Sequence, residues 1–317
     1  MKERLLYPDI CKFLAIFLVT WAHCAQCVSG EIWTNFLGGM QLDIAFNMPM
    51  FMLISGWFID PDKMRKSNII EFITSKFKRL LIPSFVWYLV NSALSLSKPG
   101  FAILTYYWYL NALFICLCVI MLFFKIFKKN TLCCLFSIAF IIAIPYSNIS
   151  LLNFMLPFLW AGYGLRKIFN TKWAKSFTII CCLIGFGLCF MWNKDYTVYR
   201  SPLNSLFLDK QMLFAYVYRF AIGFTLSTVI IYVIMKSEKK LHSLAHLGTY
   251  SLVIYTASLA IIRCLTQIFN HLNIHTNEYI IIDLASLVLC LAIVWITILF
   301  TNYCRKHKML RMLFLGE

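Results

Sequence analysis

The sequence predicts an all-α, polytopic integral membrane protein with about ten transmembrane helices and both termini in the cytoplasm. Three observations predict it. First, the 317 residues are 61% hydrophobic and only 13% charged, with a mean hydropathy of +0.77. Soluble domains carry about 45–50% apolar and about 25% charged residues. Second, the apolar residues gather into ten segments near the roughly 20 residues that a bilayer-spanning helix needs. Third, the 29 Lys and Arg are spread unevenly over the connections between those segments. This composition excludes a soluble enzyme, a disordered chain and a fibrous protein. No long linker or soluble insertion separates the segments, so residues 1–317 read as a single transmembrane domain.

The segments follow in order. Ile10–Val28 carries Lys12 and His23, is long for a signal-peptide core, and has no small-residue cleavage site after it. It therefore reads as a helix of the mature protein. Asp43–Ile59 contains NMPMFMLISGWF, in which Pro49 frees a carbonyl in mid-helix and Ser55-Gly56 permits close helix approach. Leu80–Leu96 starts behind Lys76, Lys78 and Arg79, with Pro83 one turn in. A helix N-terminus flanked by cations is a ready anion site, although the same cations also serve topology and snorkelling. Tyr106–Phe124 opens on Tyr-Tyr-Trp-Tyr. Leu132–Tyr146, Leu151–Leu165 and Phe177–Trp192 are short and leave little room for tilt. Met212–Met235 and Tyr250–Asn270 carry Arg219 and Arg263, and Ile280–Thr301 holds Asp283 just inside its start.

Charge sets the orientation. The N-terminus, every second connection and the C-terminus together hold 22 of the 29 cations. The alternate connections hold four, and three lie within segments. Cytoplasmic connections carry the Lys/Arg excess, so the strict alternation supports ten spans with both ends inside. The basic loops have affinity for anionic membrane lipids, and nothing calls for nucleic acid. Twelve of the 13 cysteines fall within segments, where Cys acts mostly as a small hydrophobe. Neither paired CxxC motifs nor an HExxH pair occurs, so no metal site is expected.

Ionisable residues inside a bilayer cost roughly 2.5–3.5 kcal/mol on insertion scales and mark function by default. Lys12 and His23 are eleven residues apart, which at about 100° per residue returns within roughly 20° of one face, about 16–17 Å along the axis. Asp9 falls about 60° from Lys12. One stripe thus carries a cation near the cytoplasmic end and an imidazole deeper in. Plainer roles are open to each: Lys12 snorkelling to headgroups, Asp9 capping the helix start, His23 sitting at the outer interface. Arg219 and Arg263 can pair with Asp43 or Asp283, or line a polar cavity.

The stripe Asp9-x-x-Lys12-x10-His23 resembles the first helix of the membrane acyltransferase 3 family, bacterial O-acyltransferases of cell-surface carbohydrates. Met48-Pro49-Met50-Phe51 with Ser55-Gly56 resembles the second helix of that family, and Lys78-Arg79-Leu80-Leu81-Ile82-Pro83 the start of its third. Tyr107-Trp108-Tyr109-Leu110 resembles the start of the fourth, and Leu247-Gly248-x-x-Ser251-Leu252-x-Ile254-Tyr255 a late helix. Family members often carry a second His shortly after Ile-Tyr, where this chain reads Thr256-Ala257-Ser258. Lys12 stands where Arg is commoner, and Lys makes no bidentate phosphate contact.

The resemblance implies an inner-membrane enzyme that moves an acyl group, most often acetyl, from cytoplasmic acyl-CoA to a hydroxyl of a cell-surface or lipid-linked carbohydrate. It places His23 and Asp9 in the catalytic set, His23 as general base or as the carrier of an acyl-histidine. Lys12, Lys76, Lys78 and Arg79 are the expected ligands of the acetyl-CoA phosphates. Asn47, Ser55, Trp108, Arg219 and Arg263 are the expected substrate-side residues. The outer connections, with Trp33, Phe36, Tyr196, Tyr199 and Arg200, suit an acceptor. Two other readings stay open: a transporter or flippase of a lipid-linked sugar, for which no internal repeat or paired broken helices is evident, and a non-catalytic membrane scaffold.

Overall fold

The computed structural model describes residues 5–30, 38–94, 106–143, 151–192 and 210–317, and among these it is all helix and turn, without a strand. The principal helices are α1 (Tyr7–Ser29), α2 (Gly38–Trp57), α3 (Pro61–Lys66), α4 (Ile69–Lys76), α5 (Ile82–Leu94), α6 (Trp108–Ile126), α7 (Asn130–Ala143), α8 (Leu152–Phe169), α9 (Ala174–Phe190), α10 (Lys210–Ser237), α11 (His242–Gly248), α12 (Ser251–Leu272) and α13 (Tyr279–Arg305). Each of the ten apolar segments therefore coincides with a helix. Among the described residues five helices are both long and apolar enough to cross a membrane: α1, α6, α12, α13 and the part of α10 from Leu213 to Ser237. Helices α7 and α9, with 14 and 17 residues, fall short of that length. On α13 an apolar row stays exposed through Ile280, Leu284, Val288, Leu291, Trp295 and Leu299. A continuous apolar stripe of this kind suits lipid tails rather than water, as expected of a multi-pass membrane protein.

The chain divides into two compact units. The first holds residues 1–44, 78–107 and 238–317. In it α1 packs on α11, α12 and α13, and α5 packs on α12. Polar contacts set the registers. The Thr20 hydroxyl donates to Ser258 Oγ at 3.4 Å, the Trp21 indole to Ser286 Oγ at 3.0 Å, and Cys290 Sγ approaches the Phe17 carbonyl at 3.7 Å. Since 17 meets 290 and 21 meets 286, α1 and α13 are antiparallel. Since Asp9 meets Gly248 and Thr20 meets Ser258, α1 and α12 run the same way.

The second unit holds residues 45–77 and 108–237. Its sharpest contact is a reciprocal crossing of α2 and α8. A Cβ on Gly56 would strike the Leu159 carbonyl, and one on Gly162 would strike the Leu53 carbonyl. Small residues allow this approach, as transmembrane packing requires. Pro49 lacks the N–H that would bond the Ala45 carbonyl. Helix α10 comes in at that point: a Cβ on Gly223 would lie 2.7 Å from Ala45 O, and Ser227 donates to the next carbonyl, Phe46, at 3.0 Å. At the opposite end of α2, Arg65 donates to the Lys128 carbonyl and to Asn130 Oδ1 and lies over the Phe124 ring, so α3 is clamped to the α6–α7 connection.

Candidate functional site

The candidate site is built on α1. The helix starts at Tyr7, with Pro8 in its first turn, where a missing N–H costs nothing. Asp9 lies in the same turn, where a carboxylate complements the helix dipole. Leu6 is the N-cap, so Asp9 is not the capping residue. Its carboxylate is 3.3 Å from Lys12 Nζ, an ion pair one turn apart. The backbone beneath this pair is fixed from outside. Gly248 of α11 lies so close to the Asp9 carbonyl that a Cβ would strike it, and the Tyr7 amide donates to Glu238 Oε2 at 3.2 Å.

The stripe above Lys12 faces inward. Ile16 and Val19, which share it, are 0% and 5% exposed, while Lys12 and His23 are half-buried. A polar group on the buried side of a membrane helix is there for a partner or a ligand. His23 Nδ1 lies 2.9 Å from Gln26 Oε1. With the amide oxygen as acceptor, the proton of the neutral ring is assigned to Nδ1 and the lone pair to Nε2. Gln26 was not among the residues singled out from sequence. The signal was present, since three residues is one helical turn and brings the two side chains together.

The cations before the third apolar segment are arranged differently from the sequence-based expectation of a helix start. Residues Phe77–Leu81 form a π turn between α4 and α5, and the Phe77 amide already bonds back to the Ile73 and Thr74 carbonyls. The open N–H groups of an anion-binding helix N-terminus are therefore absent here. The physical reason is Pro83: π turns accommodate breaks in the i→i−4 pattern, and the chain stays helical up to the proline. Lys78 and Arg79 are exposed in the first unit, and the Arg79 carbonyl is approached by Gly316 at the end of the chain. The registers put Lys12, Lys78 and Arg79 at one end of that unit, with the starts of α1 and α5 and the end of α13. Lys76 belongs to the second unit, its ammonium over the Phe72 ring at 5.4 Å.

On α12, Arg263 is exposed and its guanidinium lies 5.3 Å from the Tyr106 ring centre. Tyr106 donates to the Leu259 carbonyl at 3.1 Å, and Tyr107 to that of Thr256 at 2.9 Å. Leu259 and Arg263 are one turn apart, so Arg263 is turned to the side that Tyr106 occupies. Among the described residues it makes no ion pair with Asp283, one of the alternatives open to it. Just after Ile254-Tyr255, Thr256 donates to the Leu252 carbonyl and Ser258 accepts from Thr20. Hydroxyls here join α12 to itself and to α1.

The other expected substrate-side residues lie in the second unit. Asn47 Oδ1 accepts from the Met48 amide at 2.6 Å, and Ser55 donates to the Phe51 carbonyl at 2.8 Å, so both serve the backbone of α2. Trp108 packs edge-on to Tyr109 at 6.1 Å. Arg219 is 4% exposed and lies over the Trp192 ring at 4.7 Å. The side chain of Asp43 and the residues Trp33, Phe36, Tyr196, Tyr199 and Arg200 lie outside the described set. Among the described residues no three His, Cys, Asp or Glu gather as metal ligands.

Comparison with known proteins adds to this geometry. Residues 5–299 match a family described as "Acyltransferase domain". The chain is 26% identical over 216 residues to Nodulation protein NolL of Sinorhizobium fredii (strain NBRC 101917 / NGR234), covering 61% of this chain and 59% of that protein. The chain thus spans about three fifths of the length of this curated relative. No solved structure matches it.

Proposed function

Since this chain belongs to the membrane acyltransferase family, which it matches over residues 5–299, we propose that it moves an acetyl group from cytoplasmic acetyl-CoA to a hydroxyl of a cell-surface or lipid-linked carbohydrate. On this reading it is an inner-membrane protein with ten spans and both termini in the cytoplasm. The observation that carries the reading is the α1 stripe: an ion-paired lysine at one end and, about 16–17 Å further along, an imidazole whose lone pair is assigned to Nε2 by its bond to Gln26. CoA is a long molecule with anionic phosphates at one end and a thioester at the other, and the stripe has the matching length and polarity.

Lys12 holds donor phosphate, assisted by the exposed Lys78 and Arg79, with Lys76 as a further cation of the same basic run. Asp9 keeps the Lys12 ammonium in place. His23 Nε2 takes the proton of the acceptor hydroxyl as its oxygen attacks the thioester carbonyl. The C–S bond breaks, the acetyl group ends on the acceptor oxygen, and the proton passes to the departing CoA sulfur. General-base assistance of this kind is worth about 10²–10⁴-fold. Asn47, Ser55, Trp108 and Arg219 are the residues proposed for the substrate side.

The test follows labelled acetate into surface polysaccharide in cells expressing wild type, His23→Ala and Lys12→Ala at equal protein level. Label should vanish with His23→Ala. In purified protein Lys12→Ala should raise the apparent KM for acetyl-CoA with kcat largely kept. Persistent labelling by His23→Ala would remove the histidine from the chemistry, and an unchanged KM would remove Lys12 from the donor site.

A further inference from the structure

Arg263 sits at the depth of His23. From the Thr20–Ser258 contact, His23 is three residues further along α1 and Arg263 five further along α12, and the two helices run the same way. At a rise of about 1.5 Å per residue the two positions differ in depth by only about 3 Å. Arg263 is in mid-helix, where a permanently charged guanidinium is unfavourable without compensation. Among the described residues it meets Tyr106, both the ring face and, by a side-chain hydrogen bond, the phenol oxygen, and it forms no ion pair there. A ring face is a partial counterweight to a full charge. That ring is itself held by the bond from Tyr106 to the Leu259 carbonyl, so the guanidinium is seated on it while the Arg263 side chain as a whole stays exposed, and one bond to the phenol oxygen leaves four of its five N–H donors. Arg219 also lies over a ring, that of Trp192, but it is buried and belongs to the other unit.

We propose that Arg263, seated on Tyr106, binds a phosphate or carboxylate of the acceptor, so that the substrate class is an anionic glycan or a glycan on a phosphate-bearing lipid. The proposal rests on the acyl-transfer reading for what it calls the acceptor. A planar guanidinium offers paired N–H donors that fit the two oxygens of either anion, which a lysine ammonium does not. The depth shared with His23 puts the fixed negative charge of the acceptor level with the base that takes the proton from its hydroxyl.

The experiment measures equilibrium binding of three probes to the purified full chain in neutral-lipid nanodiscs, with no donor present: octyl glucoside, octyl glucuronide and octyl phosphate. Wild type should hold the two anionic probes at least tenfold more tightly than the neutral one. Arg263→Gln should lose that preference while keeping its affinity for octyl glucoside and its melting temperature, and Arg263→Lys should recover part of it. Equal binding of all three probes by wild type, or a preference that survives in Arg263→Gln, overturns the proposal. Competition by phosphatidylglycerol added to the nanodiscs, strong enough to abolish the preference, would make this a lipid-headgroup site and overturn it as well. Should Arg263→Gln fail to fold, wild-type preference against Arg263→Lys decides. Because binding is read without donor, His23→Ala should keep the wild-type preference, so failure of acyl transfer and failure of this site are told apart.

Discussion

The hydrogen bond between His23 and Gln26 does at residue scale what a catalytic imidazole needs, since it fixes the tautomer and aims the ring. The bond is local, spanning one turn of a helix whose neighbours are already held by α11, α12 and α13. Its loss should therefore affect chemistry more than folding. Gln26→Leu keeps a side chain of comparable bulk but cannot accept a hydrogen bond from Nδ1. The bond is worth about 0.5–1.5 kcal/mol, so kcat should fall by about 2- to 13-fold, with KM for acetyl-CoA and the melting temperature close to wild type. Gln26→Glu restores an acceptor oxygen and should recover most of the rate. A Gln26→Leu enzyme with wild-type kcat would show that His23 is oriented by something else. The His23–Lys12 relation was legible in the sequence because it needs only helical periodicity. Gln26 was equally legible by spacing. The seat of Arg263 was not, since Tyr106 is far away in the chain and only tertiary packing brings its ring beneath the guanidinium.

Two glycines on different helices act together at the scale of elements. Ser55-Gly56 marked a close approach in the sequence, but its partner Gly162 could not be read, because a helix crossing is a property of two segments and the sequence shows only one at a time. The π turn at Phe77–Leu81 was hidden for a related reason. Pro83 reads as the first turn of a new helix, and only the backbone shows that the preceding turn loosens to carry the helical path up to it. The crossing yields a prediction with a built-in contrast. Gly56→Ala and Gly162→Ala each drive a methyl group into a backbone carbonyl that has no rotamer to change. Overpacking of this kind costs about 1–3 kcal/mol. Gly164 lies two residues further along α8 with nothing within 4 Å of its Cβ position. Gly164→Ala should be neutral or gain about 0.5–1 kcal/mol from helix propensity. Thermal unfolding in detergent should lower the transition for the first two and leave or raise it for the third. Equal behaviour of all three would mean that the crossing does not limit stability.

For the whole molecule, hydropathy and charge make separate claims that one experiment can join. Helicity of the ten apolar segments was legible because each repeats apolar residues over many turns, and every one is helical here. Crossing is a stricter demand, and among the described residues five helices meet it on length and composition. The described part of α7 and helix α9, at about 1.5 Å per residue, span roughly 21 and 25 Å against a hydrocarbon core of about 30 Å. If either helix failed to cross, every later connection would change sides and the positive charge would be facing the wrong way. Yet the Lys/Arg alternation holds through Arg166 to Lys175, through Lys236 to Lys240 and on to Arg305–Arg311. The charge of basic connections acts on translocation itself, and slight shortness is met by local bilayer thinning at fractions of a kcal/mol per Å. The alternation should therefore prevail. Fluorescent-protein and alkaline-phosphatase fusions, placed after Lys66, Lys129, Lys172, Lys240 and Glu317, should be fluorescent and phosphatase-silent. Fusions after Ser147, Arg200 and Ile274 should be phosphatase-active and dark. A reversal that begins after Lys129 would show that α7 lies on the membrane instead of crossing it. The donor-side cations Lys12, Lys78 and Arg79 would keep their side in that case, because all three connect to the N-terminal end before the reversal. The positions of Arg263 and the C-terminus would then be inconsistent with the parallel α1–α12 register unless a second reversal, at α9, restored it. The two short helices are thus constrained to cross together or not at all.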